Sequence, residues 1–177
     1  SLSNKLHYKE RMVAKALADT DVTQFLKLSD TALFTKAKAA TLIQEFSDEG
    51  IYFLVYRQNK LVFWTNNAAL PTTNIQIIPV GSSFAKLRNG DYLLIKKQKD
   101  NNTIIALLPI KSTYTIKNYY LRKSFNPILK VPDYVKLADS STATVPISAS
   151  QGNYLFSIAF SEEDPPAMVP FIQNICW

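Results

Sequence analysis

The spacing of apolar positions is helical at the start of the chain and strand-like after Gly50. From Asn4 to Ala18, Leu6, Val13 and Leu17 recur at helical spacing, with Lys5, Lys9, Glu10, Arg11 and Lys15 elsewhere around the turn. That pattern predicts an amphipathic helix. Asp19-Thr20-Asp21 offers a cap for a short helix through Phe25, Leu26 and Leu28. A third, alanine-rich helix is predicted from about Ala32 to Phe46, with Leu42, Ile43 and Phe46 on one face and Gly50 as its stop.

Beyond Gly50 the period becomes two. Ile51, Phe53 and Val55 point to one face and Tyr52, Leu54 and Tyr56 to the other. Both sets are apolar or aromatic, so this strand is expected to be covered on both sides. Arg57 to Lys60 makes a turn and Leu61 to Thr65 returns, giving a first hairpin from Tyr52 to Asn66. Pro71 and Pro79 bracket an irregular stretch with one short strand, Ile75 to Ile78. Asn89-Gly90 is a turn signal. A second hairpin, Asp91 to Ile110, pairs Tyr92–Lys97 with Thr103–Ile110 across Gln98 to Asn102. Lys111 to Phe125 reads as a helix or helical turn that Asn126-Pro127 ends. Val131 to Thr144 reads as polar and irregular. A third hairpin pairs Val145–Ala149 with Tyr154–Phe160, and Glu162 to Pro166 is a linker-like acidic run. The chain divides into helices over 1–50, an antiparallel sheet core over 51–161 and a linker over 162–177, within one α+β domain.

Composition narrows the function classes. With 177 residues, 47% hydrophobic and 19% charged, the chain can bury a substantial core. Its 20 basic and 14 acidic residues leave a net charge of +6. The basic residues are spread through 86–99, 111–123 and 130–136 and interleaved with Asp91, Asp100 and Asp133, so nucleic acid is not expected as a partner. One cysteine, Cys176, excludes a disulfide framework and a cysteine-rich metal site. One histidine, His7 on the first helix, excludes a plausible Ser-His-Asp set. Four glycines, Gly50, Gly81, Gly90 and Gly152, form no phosphate-cradling loop. Catalysis, metals and cofactors are therefore not expected. The chain starts at Ser1 and turns apolar from Ala167 to Trp177, so it reads as a piece of a longer protein. A tryptophan at the edge of an apolar run suits a helix entering a bilayer, and packing on the core is the alternative.

Aromatic and amide residues remain as candidates for binding. Tyr56, Arg57, Trp64, Asn66, Tyr92, Tyr114, Asn118 and Arg122 are the candidate ligand-binding residues, with Tyr52, Tyr119 and Tyr120 beside them. Aromatic rings supply apolar contact, and amides and arginine fix orientation. Aromatics on a strand covered on both sides are more often core than site.

The succession Leu61-Val62-Phe63-Trp64-Thr65-Asn66-Asn67, Leu87-Arg88-Asn89-Gly90-Asp91-Tyr92, Ala106 to Lys111 running into Tyr114, Asn118-Tyr119-Tyr120-Leu121, Phe125-Asn126-Pro127 and Gly152 to Ser157 resembles the extracytoplasmic sensor region of bacterial membrane-bound sensor histidine kinases. The likeness spans roughly Gly50 to Ser161. It implies a PAS-like, Cache-like fold: an antiparallel sheet of about five to six strands, a long N-terminal helix, and helices packed on one face. It implies a periplasmic module between two transmembrane helices, one before Leu2 and one beginning near Phe171, with the kinase core beyond Trp177. The expected partners are a small-molecule or protein cue and a second copy paired through the N-terminal helix. The alternative is a secreted or membrane-tethered ligand- or protein-binding module without a kinase.

Overall fold

The computed structural model describes residues 1–18, 37–67, 75–112, 124–138 and 144–160. Helix α1 spans Leu2–Ala18 and helix α2 Ala37–Asp48. Strands β1 (Tyr52–Arg57), β2 (Lys60–Trp64), β3 (Gly81–Leu87), β4 (Gly90–Lys99) and β5 (Asn102–Ser112) form one antiparallel sheet in the order β2-β1-β5-β4-β3. Strands β6 (Val135–Leu137), β7 (Val145–Ser148) and β8 (Tyr154–Phe160) form a second, smaller antiparallel sheet in the order β6-β8-β7. The third predicted hairpin therefore does not extend the main sheet. It builds its own, with Phe84 of β3 and Phe156 of β8 joining the two at 5.0 Å between ring centroids.

The alternation read from the sequence sets the layering. Ile51, Phe53 and Val55 enter the larger core with Leu93, Ala106, Leu108 and Ile110. The same core takes Leu2, Leu6, Val13 and Leu17 of α1, Phe46 of α2, and Ile147, Leu155, Phe156 and Ile158 of the small sheet. Leu54 and Tyr56 enter a separate core on the opposite face with Ile75, Ile78, Tyr92, Leu94, Ile105 and Leu107. Strands β1, β4 and β5 thus feed two cores from alternate residues. Residues of α1 and Phe46 of α2 close the same core as the sheet. Val13 and Leu17, on the apolar stripe of the helix expected to pair with a second copy, are 0% and 3% exposed inside that core. The exposed positions of α1 are instead Asn4, Tyr8, Arg11, Lys15 and Ala18, with Ala14 beside them.

Local chemistry explains the ends and turns. Gly50 sits at φ +67°, its N–H bonds the Ser47 carbonyl at 2.9 Å, and the Ile51 N–H bonds the Phe46 carbonyl at 2.8 Å. This left-handed stop closes α2 and turns the chain into β1. Gln58 and Asn59, at φ +50° and +64°, form the two-residue turn between β1 and β2. The second hairpin is longer than its expected limits, reaching Lys99 and resuming at Asn102 around Asp100, at φ +54°.

Three local expectations are corrected, and one strand appears that no expectation covered. Ile75–Ile77 is a 3-10 turn, not a strand: the Ile78 N–H closes on the Ile75 carbonyl at 3.3 Å, and Lys96 ties that carbonyl to the sheet. Gly81–Leu87 is a full strand; its Gly-Ser-Ser start gave no apolar alternation to read. Val135–Leu137 is a short strand inside the stretch read as irregular. The helix expected over 111–125 fails at both ends. Lys111 and Ser112 belong to β5, Phe125 bridges to Lys111, and the Asn126 N–H bonds the Ile110 carbonyl at 2.9 Å. Residues 113–123 lie outside the described residues, as do the short helix through Phe25 and the linker over 162–177. Asn126 instead caps the 3-10 turn Pro127–Leu129, its side chain accepting from the Ile128 N–H at 3.1 Å.

Gly90 stands where β4 passes closest to the end of β5. A Cβ there would lie 2.5 Å from the Lys111 backbone oxygen, inside contact distance. Gly90→Ala is expected to lower stability by about 1–3 kcal/mol through forced strand displacement, measured as a lower urea midpoint with an unchanged slope.

Candidate functional site

Antiparallel pairing of β1 with β5 sets Arg57 opposite Asn102, so the β1–β2 turn and the β4–β5 turn meet at the same end of the main sheet. The Gln58 N–H donates to the Asn101 carbonyl at 2.9 Å and locks the two turns together. The 3-10 turn Ile75–Ile77 lies across the sheet face beside them. Together they enclose a cleft of about 300 Å³. That is the lower end of the usual range for small-ligand sites. Its floor is made by the buried residues Ile75, Lys96 and Thr103. Its rim carries the exposed side chains of Gln58, Asn59, Gln76, Gln98, Asp100 and Asn101.

Lys96 explains how this corner holds together. It is 5% exposed, and its Nζ donates to the Ile75 and Ile78 carbonyls, both at 2.9 Å. A buried ammonium is tolerable only when such acceptors replace water. The two bonds also anchor the 3-10 turn to the sheet, so one side chain both secures the cleft floor and supplies its cation. Asp100 at the rim carries the opposite formal charge.

The structure places the predicted ligand residues apart. Tyr56 is buried on the second face, opposite Thr103 of the cleft floor, and burial raises its hydroxyl pKa above the ordinary tyrosine value. Arg57 is half-buried and adjoins Gln58 at the rim. Trp64 lies on the edge strand, 45% exposed, with its indole N–H donating to the Asn67 side-chain oxygen. It shares a separate shallow depression with Thr65, Asn66 and Asn67. Tyr92 pairs with Pro109, six residues along β5 from Thr103, or about 20 Å at the strand rise. It is buried, and its hydroxyl donates to Asn89 at 3.2 Å. Tyr114, Asn118 and Arg122 lie outside the described residues. The cleft therefore adjoins Tyr56 and Arg57 and excludes Trp64, Asn66 and Tyr92. Gln58, Asn59, Gln98 and Asn101 read in the sequence as turn residues alone. The signal available was the density of carboxamides at two hairpin tips.

A second polar arrangement links the layers. Glu10 of α1 is 7% exposed. One of its carboxylate oxygens accepts from the Ser82 hydroxyl of β3 at 2.5 Å. The other accepts from the Ser150 N–H at 2.7 Å and its hydroxyl at 2.5 Å, in the turn after β7. One side chain thus joins the helix, the main sheet and the small sheet. Around it, the Lys9 ammonium pairs with the Glu49 carboxylate at 2.9 Å and also bonds the Glu49 carbonyl. Lys5 donates to the Leu129 carbonyl at 2.7 Å, His7 Nε2 to the Ser148 carbonyl at 2.9 Å, and Lys97 to the Leu17 carbonyl at 2.7 Å at the helix C-terminus.

Two outcomes follow from these burials. Glu10→Ala strands the Ser82 hydroxyl and the Ser150 amide, and is expected to cost about 1–3 kcal/mol and to speed hydrogen exchange at the Ser150 amide; Glu10→Gln restores part of both. For Tyr56 the folded state favours the neutral phenol, so its folded pKa exceeds the unfolded value of about 10. Stability is therefore full below that unfolded value and falls as pH rises through the folded one. Tyr56→Phe is expected to flatten this alkaline loss in urea midpoints measured across the tyrosine titration. Compared with known protein families, curated proteins and solved structures, the chain shows no match.

Proposed function

We propose that the chain is the extracytoplasmic signal-sensing domain of a bacterial two-component sensor histidine kinase, PAS-like in the Cache manner. The observation that carries this reading is the Glu10 junction, where α1 is bonded at once to the main sheet through Ser82 and to the small sheet through Ser150. A domain that relays a cue needs its layers mechanically joined to the elements that leave it. Here a displacement of either sheet loads the same helix. A five-stranded antiparallel sheet with a long N-terminal helix across one face also agrees with the plan that the motif succession implies.

In this reading a small molecule or partner protein binds one arrangement of α1 and the sheets more tightly than another. Only that difference in affinity moves the population, and a cue indifferent to the two arrangements transmits nothing. The shift passes along α1 and through the segment after Phe160 to the kinase. Homodimer contacts of α1 would use its outer face, with Tyr8, Arg11 and Lys15, because the apolar stripe is occupied within the chain. The domain would sit in the periplasm, anchored by flanking membrane helices. Among the described residues no helix is long and apolar enough to cross a membrane.

Reading the coding sequence on both sides of this chain tests the proposal. The expected result is an apolar stretch of about 20 residues on each side, followed by a histidine-bearing helix pair and an ATP-binding domain. A stop codon soon after Trp177 would overturn it.

A further inference from the structure

The geometry points to the cleft at the hairpin tips as a binding site for a small neutral polyhydroxylated ligand, a mono- or disaccharide. Hydrogen-bond donors and acceptors line this cleft. Five side-chain carboxamides, from Gln58, Asn59, Gln76, Gln98 and Asn101, converge from three elements. A carboxamide presents an acceptor and two donors, the same pairing that a sugar hydroxyl needs from its partner. Thr103 adds a hydroxyl at the floor. Gln58, Asn59, Gln98 and Asn101 are exposed, so these groups face water that a ligand can replace.

Charge favours a neutral ligand over an ionic one. The cleft carries one cation, Lys96, and one anion, Asp100, so its formal charge cancels. The Lys96 ammonium already donates to two backbone carbonyls and is held in the floor by them. A carboxylate or phosphate ligand would call for a cluster of arginines or lysines in fork geometry, and the lining contains no arginine. The locked turns give preorganisation. Gln58 and Asn59 are fixed by the two-residue turn geometry, and the Gln58–Asn101 backbone bond sets the spacing between the two tips.

This inference rests on the cleft alone and not on the sensor reading. The test is a titration of this chain, isotope-labelled, with D-glucose, D-galactose, N-acetylglucosamine, maltose and cellobiose at millimolar concentration. Glutamate and succinate form a second arm. The expected result is that at least one sugar shifts the side-chain amide resonances of Gln58, Gln98 and Asn101. The Gln98→Ala/Asn101→Ala variant, changed at two exposed positions, is expected to bind that sugar about tenfold more weakly, the loss of roughly two hydrogen bonds. No shift from any sugar overturns the inference. So do shifts that persist unchanged in the variant, or shifts from glutamate or succinate alone. Failure here leaves the kinase reading untouched, and a missing kinase leaves the cleft result untouched.

Discussion

Burying the carboxylate of Glu10 costs several kcal/mol unless its oxygens find donors, and breaking such an arrangement leaves an uncompensated charge. Ser82 and Ser150 supply those donors, one from each sheet. The rest of the architecture depends on this junction. Helix α1 cannot rotate without breaking it, because rotation that frees Glu10 would also pull Leu6, Val13 and Leu17 from the core. Nor can the small sheet drift from the main one while Ser150 and Ser82 share a carboxylate. Lys5, His7 and Lys97 add bonds from α1 to the Leu129 and Ser148 carbonyls and from β4 to the helix end. The helix is thereby held along its length by polar contacts as well as by its apolar stripe.

The main sheet solves a different problem. Its central strands are covered on both faces, so each residue of β1, β4 and β5 must suit one of two cores. Polar side chains are tolerated on the second face only where an acceptor exists. Lys96 meets that condition by reaching the carbonyls of the 3-10 turn, and in doing so it creates the cleft. The hairpin tips extend past the cores into solvent, where Gln58, Asn59, Asp100 and Asn101 need no burial. A cleft with a buried charged floor and a polar rim is the consequence. A molecule that replaced water at this rim would sit beside a rigid connection to α1. Residues Lys96 and Lys97 stand side by side on β4, one under the cleft and the other bonded to the end of α1.

Much of the fold was legible in short stretches of chain. The alternation from Ile51 to Tyr56 announced two covered faces, and both faces are covered. Gly50 stops α2 with the left-handed geometry that its lack of a Cβ allows. The three hairpins appear where turn residues separate strand-forming runs. The candidate site was less legible. Tyr56 and Tyr92 share a face and a core, yet register places them far apart along the sheet. Trp64 belongs to an edge strand that ends in a depression of its own.

The sequence by itself determined the helical start, the strand periods, the turns and the α+β class, since each depends on interactions within a few residues. Only the tertiary structure decided that the third hairpin builds a separate sheet, that Gly81–Leu87 completes the main one, and that Lys9, Glu10 and Lys96 lie inside. The physical reason is distance along the chain. Whether a charge can be buried depends on its partner, and Glu10 finds Ser82 and Ser150 at separations of 72 and 140 residues. No local pattern contains that information. The same holds for the cleft, whose wall gathers Gln58, Gln76 and Gln98 from three elements that meet only once the strands have paired.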